Sequence, residues 1–170
     1  PTASLHFTKK LIRDLKIKKV KFINITLHVK GGTFLPIKTQ NIEDHKMHSE
    51  LGEISEDSAK RINKVKENGG RIIAVGTTVL RILESSKNSN GQILPFKGET
   101  NIFLKPGCLI NTVDGMITNF HTPKSSLLLL VFALLGKEKT LNLYNYAIKN
   151  KLRFFSYGDA CLIWNKYGKI

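Results

Sequence analysis

The chain has 170 residues, with 27 Lys+Arg against 13 Asp+Glu and a formal net charge of +14. Hydrophobic residues make up 41% of it, and apolar runs punctuated by Gly recur throughout, which excludes a disordered chain and fits one domain over 1–170. Excess positive charge concerns partners more than fold: nucleic acid, an acidic lipid surface or an acidic protein would each feel it, although a genome rich in Lys and Asn codons gives the same composition. The longest apolar run, Leu127 to Leu135, is far short of the ~20 residues that span a bilayer, so no membrane span is expected. Cys108 and Cys161 stand far apart in apolar contexts, which reads as two free thiols in a cytoplasmic protein.

Thr8 caps a short helix to Lys16, with Leu11, Ile12 and Leu15 on one face. Val20 to Val29 is rich in β-formers and reads as a buried strand. Lys30 to Glu53 has little helical period; so long an irregular stretch is usually functional or hides short strands. Ser55 opens a helix with Glu56 and Asp57 in its first turn, where the helix dipole favours acids, and Gly69-Gly70 ends it. A strand over Arg71 to Val75 turns through Gly76-Thr77-Thr78 into another helix. Asn88 to Asp114 is broken by Asn90-Gly91, Pro95, Gly98 and Pro106-Gly107 into short strands and turns. A strand over Met116 to Phe120 leads to a Leu-rich helix capped at Ser125 or Ser126 and stopped by Gly136. A helix over Thr140 to Lys149, a last strand over Leu152 to Phe155 and a frayed tail from Asn165 complete the reading. The order of elements predicts an α/β fold, a mixed-sheet α/β/α sandwich.

Polar residues cluster where predicted strands end, the usual place for a site carried on loops. Free N–H groups at the helix start after Gly76, with the hydroxyls of Thr77 and Thr78, suit a carboxylate, phosphate or ribose; Arg81 would add a grip on an anion or, in the plainer reading, pair with Glu84 on the surface. The spacing is neither a P-loop nor a dinucleotide fingerprint. In Asp44 to Glu50, His45 and His48 sit three apart in a loop, so acid–base work by His48 or Glu50 is preferred over a metal site. Asn119, His121, Lys124 and Ser125 precede a helix, where Lys124 favours an anion. Phe154-Phe155-Ser156-Tyr157-Gly158-Asp159 joins aromatics able to stack a base to a Gly turn and a carboxylate.

Taken in order, these segments resemble the S-adenosylmethionine:tRNA ribosyltransferase-isomerase family of queuosine biosynthesis. Pro1 to Thr8 is similar to its Pro-Thr-Ala-Gly-Leu-His-Phe-Thr signature. Leu27-His28-Val29, Gly32-Thr33-Phe34 and Met47-His48-Ser49-Glu50 follow, then Ala74 to Thr78 with Arg81 and Leu83-Glu84. Thr100 to Gly107, Ile117 to His121 with Pro123-Lys124-Ser125, and Phe155 to Ala160 complete the set. Ser4 and Lys30 stand where the family has Gly, a change that is costly wherever the backbone needs φ > 0 or close approach.

The resemblance implies transfer and isomerisation of the ribosyl portion of S-adenosylmethionine onto 7-aminomethyl-7-deazaguanine in tRNA, giving epoxyqueuosine. It makes S-adenosylmethionine a co-substrate, calls for no metal, and implies a monomer when complete. It places Gly76, Thr77, Thr78, Arg81, Lys124 and Ser125 at the S-adenosylmethionine or another anionic group. His48, Glu50, Asn119 and His121 would surround the reacting centre, with Asp159 a further proton carrier. It also implies that this chain is the C-terminal portion of a longer protein, lacking an N-terminal part and an inserted β-barrel domain. The alternative is a truncated chain that binds RNA without catalysis. An ordinary methyltransferase is disfavoured, since no Gly-rich loop follows the first strand.

Overall fold

The computed structural model describes residues 1–29, 37, 39 and 41–166. Lys30 and the Gly32-Thr33-Phe34 motif lie outside the described residues. A 3-10 turn, Thr2–His6, leads into α1 (Lys9–Ile17), whose first turn is closed by the Leu11 N–H donating to Thr8 Oγ1 at 3.1 Å. Then come β1 (Thr26–His28), β2 (Glu50–Ile54), α2 (Glu56–Glu67), β3 (Ile73–Val75), α3 (Thr77–Ser85), β4 (Phe96–Thr100), β5 (Gly115–Asn119), α4 (Ser126–Leu135), α5 (Lys137–Lys149) and β6 (Ala160–Trp164).

The α/β class expected from sequence is what folds, with its strands divided between two sheets. One is antiparallel, ordered β1-β2-β4; the other is mixed, with β5 parallel to β3 and antiparallel to β6. Helix α3 touches β1 of the first sheet and β3 and β5 of the second. That position explains its sequence: Leu80, Ile82 and Leu83 are fully buried, each worth about 1.5–3 kcal/mol of apolar transfer, and polar Arg81 and Glu84 are buried beside them. Ser55 and Ser125 cap α2 and α4 by accepting from the N–H groups of Ser58 and Leu128. Helix α4 is apolar on nearly every side because both α5 and β6 cover it.

Four expectations are corrected. The long strand over Val20 to Val29 shortens to Thr26–His28, because the segment lies at a sheet edge and Val20 is 44% exposed. The strand over Leu152 to Phe155 is irregular instead; Phe154 turns its ring onto Phe120 and Tyr144, and the strand forms later, at β6. Asn165 is not frayed: it is buried, and its amide donates to the carbonyls of Ile110 and Val113, both at 2.9 Å. Ser4 tolerates the position where the family has Gly. Its backbone avoids positive φ, and its hydroxyl donates to the Pro1 carbonyl at 2.6 Å. Among the described residues, no helix is long and apolar enough to cross a membrane.

Candidate functional site

β3 and β5 run parallel, so the segments leaving their C-terminal ends emerge on the same side. β3 passes through Gly76 into α3, and the Gly76 N–H donates to the Ile117 carbonyl at 2.8 Å, holding the turn against β5. Gly76 has φ 99 and ψ 149, a region essentially restricted to glycine, and a Cβ there would overlap the Pro1 ring. With glycine at the N-cap, α3 has no side-chain cap, which leaves its first N–H groups for a ligand.

These features open on a cavity of about 720 Å³. One wall is Gly76, Thr77, Thr78 and Val79; another is Thr118 to Thr122 with Ser125; Thr2, Leu5, Leu27 and Phe155-Ser156 complete most of it. Among the described residues, the lining side chains are hydroxyls, one amide, one imidazole and apolar groups, with no Lys, Arg, Asp or Glu. Such a lining suits uncharged ribose hydroxyls and a nucleobase, with the start of α3 as its anion-binding element.

Asn119 ties the floor together. It is buried, its Oδ1 accepts from Thr2 Oγ1 at 3.1 Å and its Nδ2 donates to the Gly158 carbonyl at 3.2 Å. His6 Nε2 donates to the same carbonyl at 3.0 Å, so the chain start, the end of β5 and the 153–159 loop meet at one oxygen. A Cβ on Gly158 would strike the Arg153 and Phe154 carbonyls, which explains the glycine. The Phe155 N–H donates to the Phe120 carbonyl at 3.0 Å, and the Phe155 side chain stays 62% exposed at the cavity rim, available for stacking.

His121 is held twice. Its ring Nε2 lies 2.9 Å from Thr118 Oγ1, and its backbone N–H donates to the Tyr144 hydroxyl at 3.0 Å. Burial without a compensating carboxylate pushes the imidazole pKa down to about 4, so the ring is neutral at physiological pH. Burial likewise raises the Tyr144 phenol to about 12 and the Cys161 thiol to about 11, which keeps both protonated. Tyr144 lies in the helix predicted over Thr140 to Lys149, and nothing in the sequence signals its bond to His121.

Of the sequence candidates, Gly76, Thr77, Thr78, Asn119, His121 and Ser125 therefore converge, and five others do not line the cavity. Arg81 and Glu50 form an ion pair with side chains 3% and 0% exposed, so the anion that Arg81 grips among the described residues is an internal one. Arg81 Nε and Nη2 are buried without a hydrogen-bond partner among the described residues. The surface pairing of Arg81 with Glu84 does not occur. Glu84 is buried, accepts from the Asn111 and Thr112 N–H groups and the Thr112 hydroxyl, and pairs with Lys87 at 2.5 Å. Asp159 accepts from the Arg153 backbone N–H at 2.7 Å and its guanidinium at 2.8 Å, and these bonds hold its carboxyl below the usual range. His48 and Lys124 are exposed, the latter with φ 57. His45 packs its ring on Phe103, and among the described residues no group of three or more His, Cys, Asp or Glu side chains gathers around a common point.

Comparison with known proteins places this geometry. Residues 1–163 match the family model described as queuosine biosynthesis protein. A Zymomonas mobilis protein named S-adenosylmethionine:tRNA ribosyltransferase-isomerase is 52% identical over 166 residues, covering 98% of this chain and 48% of that protein. A Carboxydothermus hydrogenoformans protein of the same name is 54% identical over 163 residues, covering 96% and 48%. The crystal structure of an S-adenosylmethionine tRNA ribosyltransferase from Thermotoga maritima superposes with a TM-score of 0.78 at 37% identity, covering 95% of this chain and 51% of that one. The chain thus spans about half the length of the curated relatives it matches.

Proposed function

The chain belongs to the queuosine biosynthesis protein family, and from that membership we propose that it carries the ribosyl-binding side of a tRNA ribosyltransferase-isomerase. In this reading S-adenosylmethionine is a co-substrate whose ribosyl moiety is transferred to 7-aminomethyl-7-deazaguanine in tRNA and isomerised, giving epoxyqueuosine and releasing adenine and methionine. The observation that carries it is convergence. Motifs from five separate stretches of sequence, around Pro1 to Leu5, Leu27 to Val29, Gly76 to Val79, Thr118 to Thr122 with Ser125, and Phe155-Ser156, contribute to one cavity whose described lining side chains are neutral and rich in hydroxyls.

The sulfonium of the co-substrate acidifies the adjacent ribose C5′ hydrogens, which is the chemistry it supplies. The residues of this chain bind and orient the ribosyl unit. The open start of α3 with Thr77 and Thr78 takes a carboxylate or ribose oxygen, Ser125 and Thr122 take hydroxyls, and Phe155 stacks the base. Asn119 fixes the floor, and the Arg81–Glu50 pair supports α3 against β2 without meeting the ligand. His48, Lys124 and Asp159 lie outside the cavity wall and are assigned to the approach of the tRNA, toward which the +14 charge draws phosphates.

The test is reconstitution. The chain is incubated alone, and with a supplied N-terminal half from a relative, with S-adenosylmethionine and precursor-bearing tRNA. Adenine release and epoxyqueuosine formation only in the combined reaction are the expected result; tRNA binding without either product would replace the enzyme by an RNA-binding remnant.

A further inference from the structure

The hydroxyl of Thr118 has no role in the reading above, yet it decides what His121 offers the cavity. Thr118 is 2% exposed, and among the described residues its Oγ1 has one hydrogen-bond partner, His121 Nε2 at 2.9 Å. Two arrangements are possible at that contact. If Nε2 carried the ring proton and donated to Oγ1, the threonine hydroxyl would need a second acceptor, and none of the described residues provides one. If the hydroxyl donates to Nε2, the contact uses both the hydroxyl proton and the Nε2 lone pair, and the single proton of a neutral imidazole sits on Nδ1. Burial already excludes the doubly protonated ring at neutral pH, since it brings His121 to about 4.

We propose that Thr118 is a positioning residue that locks His121 as the Nδ1–H tautomer, making it a neutral hydrogen-bond donor to the substrate and not the proton-abstracting base. This rests on the assignment of the cavity to the ribosyl unit and names the work of one residue within it. Two further contacts keep the ring in place. The His121 N–H is held by the Tyr144 hydroxyl at 3.0 Å, and Phe120 stacks edge-on against the same tyrosine with ring centroids 5.4 Å apart. Nδ1 has no partner among the described residues, and His121 borders the cavity, so this N–H is the one free for a ligand oxygen or nitrogen. A neutral imidazole donor suits an oxygen that gains electron density as a glycosidic or C–O bond reorganises, because it stabilises charge without giving up its proton.

The experiment is nitrogen-15 NMR of the histidine rings in the whole chain without ligand, with the His121 signals identified by their loss in His121→Gln. The expected result is a protonated Nδ1 and an unprotonated Nε2, unchanged from pH 8 to pH 6. Thr118→Ser should keep this pattern, while Thr118→Val should move the ring toward a mixture or toward the Nε2–H form. A protonated Nε2 in the unmodified chain, or the same tautomer in Thr118→Val, overturns the proposal. Because no substrate is present, the result is independent of whether the reconstituted protein transfers a ribosyl group. In that reconstituted protein, Thr118→Val should lower kcat at least tenfold with KM little changed, and Thr118→Ser should restore it. Equal losses in both variants would reduce Thr118 to a packing role.

Discussion

Removing the charge of Glu50 tests whether Arg81 serves the ligand or the fold. The two side chains are 0% and 3% exposed, and among the described residues Arg81 Nε and Nη2 have no hydrogen-bond partner. Glu50→Gln leaves a guanidinium buried without its counter-charge, which costs about 3–5 kcal/mol. At roughly 2–4 °C per kcal/mol for a chain of this size, thermal melting should move down by about 6–20 °C. Replacing both partners by Met removes the stranded charge, so the Glu50→Met/Arg81→Met variant should recover most of the stability that either single change loses. Urea denaturation followed by circular dichroism supplies the four corners of the cycle. A loss below about 1 kcal/mol for Glu50→Gln, or a double variant destabilised by the full sum of the singles, would refute the buried pair. An anion-binding Arg81 gives the opposite order: stability kept and ligand affinity lost.

Three further predictions concern the cavity and the charge. Gly76→Ala forces a side chain into φ 99 and against the Pro1 ring, and should cost about 1–3 kcal/mol in urea denaturation while Thr77→Ala, one residue on, costs less. For His121, the folded pKa of about 4 lies below the ordinary 6.5, so the unfolded chain takes up a proton first as pH falls. Its contribution, up to about 3 kcal/mol, is present above pH 6.5, is lost progressively down to pH 4 and is flat below. Subtracting the urea stability of His121→Gln from that of the unmodified chain across pH 3–8 should isolate this curve; a difference independent of pH would show the ring is not buried neutral. Finally, tRNA affinity should fall steeply as salt rises from 50 to 200 mM, with log K linear in log salt; a flat titration would mean that the excess cations do not meet phosphates.

Much of the local structure was legible without coordinates. Thr8, Ser55 and Ser125 announce helix starts because a hydroxyl satisfies N–H groups the helix itself leaves open. Gly69, Gly76 and Gly136 mark turns because each takes a positive φ that side chains resist. Polar residues clustered in sequence after β3 and β5 come together in the structure along one cavity. The reading failed where burial, and not propensity, decided. β-forming residues at Val20 to Ile25 lie outside any strand, and Phe154, read as strand, packs into an aromatic cluster.

The sequence by itself determined the family, the α/β class, the order of the main helices and the motifs that line the cavity, since each is written in residue types at short spacing; the last helix, read from Thr140, starts a turn earlier at Lys137. Tertiary structure alone decided the company each polar side chain keeps. Arg81 and Glu84 are three residues apart on one helix, one turn from each other. One turns to Glu50 from β2, and the other to Lys87 and the Asn111-Thr112 backbone, because α3 is buried among elements from both sheets and each buried charge must find a partner where the packing puts one. His121 follows the same rule. The resemblance placed it at the reacting centre; its burial beside Thr118 and Tyr144 is what keeps the imidazole neutral.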